Sequence, residues 1–193
     1  MKKNNDPWIT DQEAMDILEN KTKKINAVSP SFCTAKWLQT TLMLQNGFNH
    51  SCHHPAPHKI PLEEIEADPA ALHNSKFKKE QRAKMLKGER PDGCSYCWRI
   101  EDAGHTSDRH YRSSEWWNSP DFEKIATNKS LDKTITPAYV EVNFNQACNF
   151  KCVYCSPHLS TSWQEEAEKY GAYILKDAAH NHLGALTDYG LMP

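Results

Sequence analysis

Residues 138–165 decide how this chain is read. They run Ala138-Tyr-Val-Glu-Val-Asn-Phe144, then Asn145-Gln-Ala-Cys148-Asn-Phe-Lys-Cys152-Val-Tyr-Cys155, then Ser156 through Ser162-Trp-Gln-Glu165. Tyr139, Val140, Val142 and Phe144 are set around Glu141 and Asn143, a strand by alternation and by β-branched and aromatic content. Ser162 followed by Glu165 is the pattern of a capping box and predicts a helix running to about His182, with Ser160 to Ser162 also able to cap it. The order is strand, cysteine loop, helix: one βα unit. The loop spaces its cysteines C-x3-C-x2-C. Three thiolates on so short a loop can grip three corners of a [4Fe–4S] cube and leave the fourth iron without a protein ligand, where an electron-transfer site would supply four cysteines. An open metal position can bind a substrate or cofactor. The same three residues also suit half of a zinc site, or unpaired buried thiols.

Working outward, four cysteines remain of the chain's seven: Cys33, Cys52, Cys94 and Cys97. A disulfide framework is a poor reading of an odd number in a reducing compartment. Four thiolates fully ligate an iron–sulfur cluster and equally a structural zinc ion, and spacing does not separate the two. A zinc ribbon has two C-x2-C pairs; this set has one. From Ser31 to Phe48 the sequence predicts an extended element, a turn and a return, with Asn46-Gly47 as the hairpin signal. Such a hairpin would bring Cys33 and Cys52 together, and the Arg90-Pro91-Asp92-Gly93 turn would present Cys94 and Cys97.

The remaining elements are modest. Asp11 to Ile25 predicts a helix with Met15, Ile17 and Leu18 on one side. Three prolines make residues 53–61 a loop. A short helix from Leu62 breaks near Asp68-Pro69. Lys76 to Lys87 predicts a helix capped by Asn74 or Ser75, ending at Gly88, with Phe77, Met85 and Leu86 as its apolar face. Polar, aromatic-containing sequence follows to about Asn128, with a helix from Pro120 to Ala126, and residues 129–137 read as a linker. The 193 residues are 38% hydrophobic, below the ~45–50% usual in globular chains, so the core is thin for the length. Lys+Arg 23 against Asp+Glu 25 gives a net charge of −2, no signal for nucleic acid or an anionic membrane. No apolar run approaches the ~18 residues of a transmembrane helix. The N-terminal Met1-Lys-Lys-Asn-Asn-Asp lacks the apolar stretch of a signal peptide. A cytoplasmic location is expected.

The Cys148-Cys152-Cys155 loop resembles the signature of the radical S-adenosylmethionine (SAM) superfamily. That resemblance implies a partial (β/α)6 barrel whose first strand precedes the loop, and a fourth iron that chelates the amino and carboxylate groups of SAM. It also implies reductive cleavage to a 5′-deoxyadenosyl radical. Tyr154 stands where the family places an aromatic near the adenine; simple packing is the other reading of Tyr154. Phe32-Cys33, Trp37, Gly47, Cys52-His53, Lys84-Met-Leu-Lys-Gly88, Cys94-x-x-Cys97 and Glu101-x-x-Gly104 resemble the auxiliary-cluster module called twitch. In this chain the module precedes the barrel signature, an order found in a twitch-domain subgroup that includes phage-encoded proteins.

The expected fold class is α/β, or α+β as truncated. Residues 1–30 form a polar segment, 31–128 a twitch-like module and 129–193 the start of the radical SAM core. The family's later SAM-contacting elements, including a glycine-rich strand end, have no counterpart here, which reads as an N-terminal portion, with a C-terminal barrel fragment as partner in the split-protein version. A lone strand with one helix would leave two unpaired edges. A reductant such as flavodoxin or ferredoxin and a peptide substrate are what the resemblance implies as partners. A non-catalytic, zinc-stapled binding module is the alternative function. His50, His53, His54 and His58 read as solvent-facing or supporting imidazoles around Cys52. Glu101, Asp102, Asp108 and Arg109 read as structural or solvated ion pairs, and Trp116-Trp117 as packing between the two modules.

Overall fold

The computed structural model describes residues 10–118, 121–127, 134–171 and 187. Among them the chain is mixed α/β. The helices are α1 (Asp11–Val28), α2 (Ala35–Leu38), α3 (Leu62–Ala67), α4 (Ala71–Asn74), α5 (Lys76–Leu86), α6 (Ser95–Asp102), α7 (Asp108–Ser114), α8 (Phe122–Thr127) and α9 (Thr161–Tyr170). The strands are β1 (Gln39–Met43), β2 (Phe48–His50), β3 (His58–Lys59) and β4 (Tyr139–Asn143), in one sheet of order β3-β2-β1-β4. Two compact units divide the chain, Met1–Gln39 with His73–Tyr139 and Thr40–Leu72 with Val140–Pro193. No helix among the described residues is long and apolar enough to cross a membrane.

The first unit is helical. Its α1 opens on a capping box, in which Thr10 Oγ1 accepts from the Glu13 N–H at 3.2 Å and the Glu13 carboxylate accepts from the Thr10 N–H at 2.9 Å. The expected apolar side is not the buried one: Met15 and Ile17 are exposed, whereas Ile25 is wholly buried, because only the last turns of α1 reach the core. The extended element expected from Ser31 begins only at Gln39. Ala35–Leu38 is a helical turn, its Trp37 and Leu38 N–H groups both donating to the Thr34 carbonyl at 2.9 Å, and all four of its residues are buried. Ser75 caps α5 by accepting from the Lys78 N–H, and Gly88 leaves the helix at φ +81°. The buried face of α5 is Lys78, Arg82 and Met85, spaced i, i+4, i+7, and not Phe77, which is half-exposed.

Those two buried cations have defined partners. The Arg82 guanidinium donates from Nε to the Lys36 carbonyl at 3.0 Å, from one NH2 group to Asn74 Oδ1 at 2.9 Å, and from the other to the His73 carbonyl at 3.1 Å. His73 Nε2 lies against the Trp37 carbonyl, so Nε2 carries the proton, and Nδ1 accepts from Lys78 Nζ at 3.1 Å. Burial, with Lys78 and Arg82 alongside, pushes the His73 pKa down to about 2. The unfolded chain therefore binds more protons than the folded one between the ordinary value of 6.5 and about 2. His73 contributes fully above that window and progressively less as the pH falls through it. Lowering the pH from 6.5 to 5 should cost about 1.6 kcal/mol at this residue, a little under ~1.4 kcal/mol per pH unit because the unfolded imidazole is already half protonated at 6.5. Urea unfolding at both pH values should show a loss that much larger in the parent than in His73→Gln; equal losses would contradict the assignment.

α6 and α7 are absent from the sequence expectation. The inward face of α7 carries Arg109, His110 and Ser113, so no apolar period announces it, and α6 buries only the adjacent Cys97 and Trp98. The expected helix near Phe122 is present as α8. Trp117 is buried beside Tyr139, ring centroids 5.6 Å apart within this unit, but Trp116 is exposed, so the pair does not act together as packing. Of the expected linker, residues 129–133 lie outside the described residues.

The second unit holds most of the sheet. Gly47 turns the hairpin at φ +75°, and the β1–β2 register is Met43↔Phe48 and Thr41↔His50. Cys33 is therefore outside this ladder, six residues before β1. The proline-rich stretch supplies β3, which pairs antiparallel with β2 (Phe48↔Lys59). At a sheet edge, flanking prolines cost no ladder bond. β4 is not a lone strand. Leu44 N–H donates to the Asn143 carbonyl at 2.9 Å, while at the other end Ala138 N–H donates to Leu38 at 2.8 Å. The numbers rise together, so β4 runs parallel to β1 and one of its edges is paired.

Candidate metal centres

In the second unit β4 delivers the chain into the cysteine loop, and α9 receives it. Ser160, not Ser162, is the N-cap, its hydroxyl accepting from the Trp163 N–H at 3.4 Å. The helix ends at Tyr170, where Gly171 has φ +82°; the expected continuation to His182 lies outside the described residues. Relieved of the capping role, Ser162 turns to the loop: its hydroxyl donates to the Cys148 carbonyl at 3.0 Å, and its N–H to the same oxygen at 3.3 Å. Thr161 Oγ1 donates to that carbonyl at 3.1 Å and accepts from the Cys148 N–H at 3.3 Å. The Ser160 hydroxyl donates to the Phe150 carbonyl at 2.9 Å, and the Trp163 indole N–H to the Cys152 carbonyl at 3.0 Å. A turn closes Cys152 to Cys155, N–H to carbonyl at 2.9 Å.

The loop's main chain is thus tied to the first turn of α9, while the three cysteines remain half-buried. Phe150, Val153 and Tyr154 are exposed, the last two more than nine-tenths. The Tyr154 hydroxyl bonds the Cys152 side chain, and that bond, with Cys152 and Cys155 close by, raises the phenol's pKa. Three thiols on a fixed backbone, beside the positive end of a ten-residue helix, are a donor set suited to an anionic iron–sulfur cluster.

In the first unit, Cys94 ends a 3-10 turn (Asp92–Cys94) and Cys97 lies in the first turn of α6, three residues on and on the same side. Both are buried in the core formed by Phe32, Trp37, Trp98 and their neighbours, and Cys33 packs against that same core. The structure therefore gathers three of the four expected ligands in one unit. Cys52 belongs to the other unit, in the bend after β2, half-buried, with the His53 and His54 rings next in sequence, their centroids 4.1 Å apart.

Arg109 holds this first-unit set in place. Its guanidinium meets Glu101 through two bonds of 2.8 Å and reaches the Phe32 carbonyl and Asn26 Oδ1 at 3.0 Å each. The Ser107 hydroxyl adds a 2.6 Å bond to Glu101. Burial would raise the Glu101 pKa, but the bonds from Arg109 and Ser107 outweigh it and hold the carboxyl below its usual range. Glu101 lies one turn beyond Cys97 on α6, and Phe32 precedes Cys33, so this one side chain ties both cysteine-bearing segments to α7. The ion-pair reading of Glu101 and Arg109 holds; Asp102 pairs at the surface with Arg90 at 2.7 Å.

One further observation tests whether this set suits a cluster. Thr34, beside Cys33, is wholly buried, and its hydroxyl oxygen has no hydrogen-bond partner. An unsatisfied buried hydroxyl costs roughly 1–3 kcal/mol. The sulfur of a metal-bound thiolate or of an iron–sulfur cluster can accept such a bond, so the residues are compatible with either group.

No protein-family model, no curated protein and no solved structure matches this chain.

Proposed function

We propose that the chain carries the cluster-binding part of a radical SAM enzyme, with an auxiliary iron–sulfur cluster and a peptide as the first substrate class to test. The observation that carries this reading is the C-x3-C-x2-C loop seated between a parallel strand and a capped helix, its main chain held by α9 through bonds that do not involve the thiols. When bound, a [4Fe–4S] cluster with one open iron supplies a binding position for the amino and carboxylate groups of SAM and the electron for its reductive cleavage. Cys148, Cys152 and Cys155 are the ligands in this reading. Tyr154, exposed and anchored through its hydroxyl beside Cys152, offers a ring face to the adenine. Cys33, Cys94 and Cys97, with Cys52, are the proposed auxiliary ligands.

Anaerobic reconstitution with iron and sulfide tests the reading against a zinc-stapled module. A brown protein with broad iron–sulfur absorption and stoichiometric acid-labile sulfide is the expected result. A colourless protein that retains zinc and takes up no iron would overturn it.

A further inference from the structure

We infer that Thr161 and Ser162 are positioning residues for the Cys148 ligand, an inference that rests on the functional reading above. Three polar groups of the first turn of α9, Thr161 Oγ1 and the Ser162 hydroxyl and N–H, converge on the two peptide groups flanking Cys148, and the N-cap Ser160 hydroxyl lies 3.4 Å from the same carbonyl. Thr161 Oγ1 is bidentate, accepting from the Cys148 N–H at 3.3 Å and donating to its carbonyl at 3.1 Å. The Ser162 hydroxyl and N–H donate to that carbonyl at 3.0 and 3.3 Å, and the Thr161 N–H donates to the Gln146 carbonyl at 2.9 Å. One residue therefore fixes the chain on both sides of Cα of Cys148.

The other two ligands are held differently. Cys152 is tied through its carbonyl by Trp163, and Cys155 by the turn back to Cys152. Cys148 stands four and seven residues away from them, across a stretch with no regular structure. Without the α9 hydroxyls, the direction of the Cα–Cβ bond of Cys148 would be set by a free loop. With them, the Cα–Cβ bond of Cys148 is held in one direction before metal arrives. The ordering cost is met on folding, and the iron at that corner is released less readily. Hydrogen bonds that orient a ligand typically alter metal affinity 10–100-fold.

The test uses the full chain, reconstituted anaerobically, with the Cys148→Ala/Cys152→Ala/Cys155→Ala variant giving the baseline for auxiliary iron. Thr161→Val keeps the shape of the side chain and removes its donor and acceptor; Thr161→Ser keeps both. The expected result is that Thr161→Val loses loop iron to a chelator about tenfold faster than the parent. Its reduced-cluster EPR signal should also be broadened, while Thr161→Ser behaves as the parent. Parent-like iron loss in Thr161→Val would overturn the inference, as would equally fast loss in Thr161→Ser. Ser162→Ala, which removes a single donor, carries the same comparison should the valine variant not fold. A parent chain that takes up no iron beyond the triple-alanine baseline would instead defeat the functional reading itself.

Discussion

Replacing Cys148, Cys152 and Cys155 together by alanine is expected to remove about four iron atoms per chain after anaerobic reconstitution, the content of one [4Fe–4S] cluster. The three residues share one loop, and the elements on either side of it are fixed by bonds that do not involve the thiols. Its main chain is held through the Cys148, Phe150 and Cys152 carbonyls, none of which alanine removes. The variant should therefore keep the far-UV circular dichroism of the parent and lose only metal. Because Cys33, Cys94 and Cys97 lie in the other compact unit, iron bound there should remain. Iron content unchanged from the parent would show that the loop is not a metal site.

The second large effect concerns the fold. Arg109→Ala should destabilise the iron-free, reduced chain by about 3–5 kcal/mol, the usual consequence of leaving one member of a buried ion pair without the other. The Arg109 and Glu101 side chains are only 3% and 13% exposed, which separates this pair from surface pairs worth about 1 kcal/mol or less. The substitution also frees the Phe32 carbonyl and Asn26. The double variant Arg109→Met/Glu101→Leu should recover a substantial part of the loss, since it leaves no buried charge behind. A loss in the single variant below about 1 kcal/mol by urea unfolding would place the pair with the surface kind.

These residues show what the sequence could and could not disclose. β4 was legible because its side chains alternate, the hairpin turn because Asn46-Gly47 favours left-handed backbone, and α5 because Ser75 and Gly88 mark its ends. α7 was not, because its inward face carries Arg109, His110 and Ser113, and no apolar period betrays a helix that buries polar groups; α6 buries only the adjacent Cys97 and Trp98, too little for a period. The helical turn at Ala35–Leu38 was hidden for a related reason. Aromatic and aliphatic residues there also suit a strand, and only the backbone bonds to the Cys33 and Thr34 carbonyls distinguish the two. The burial of Lys78 and Arg82 depends on acceptors from Lys36, His73 and Asn74, which no local pattern reveals. Within the candidate site, C-x3-C-x2-C was plain in the sequence. Ser160 was among the residues expected to be able to cap α9, but the tie from Thr161 and Ser162 to Cys148 was not legible, because it links two segments that no local pattern pairs.

The central claim is that three thiolates on the loop leave one iron open to SAM, and EPR of the dithionite-reduced, reconstituted chain tests it most directly. Addition of SAM should shift the g-values of the loop cluster, with no such shift in the Cys148→Ala/Cys152→Ala/Cys155→Ala variant. A reduced cluster in the parent whose spectrum is indifferent to saturating SAM would contradict the account.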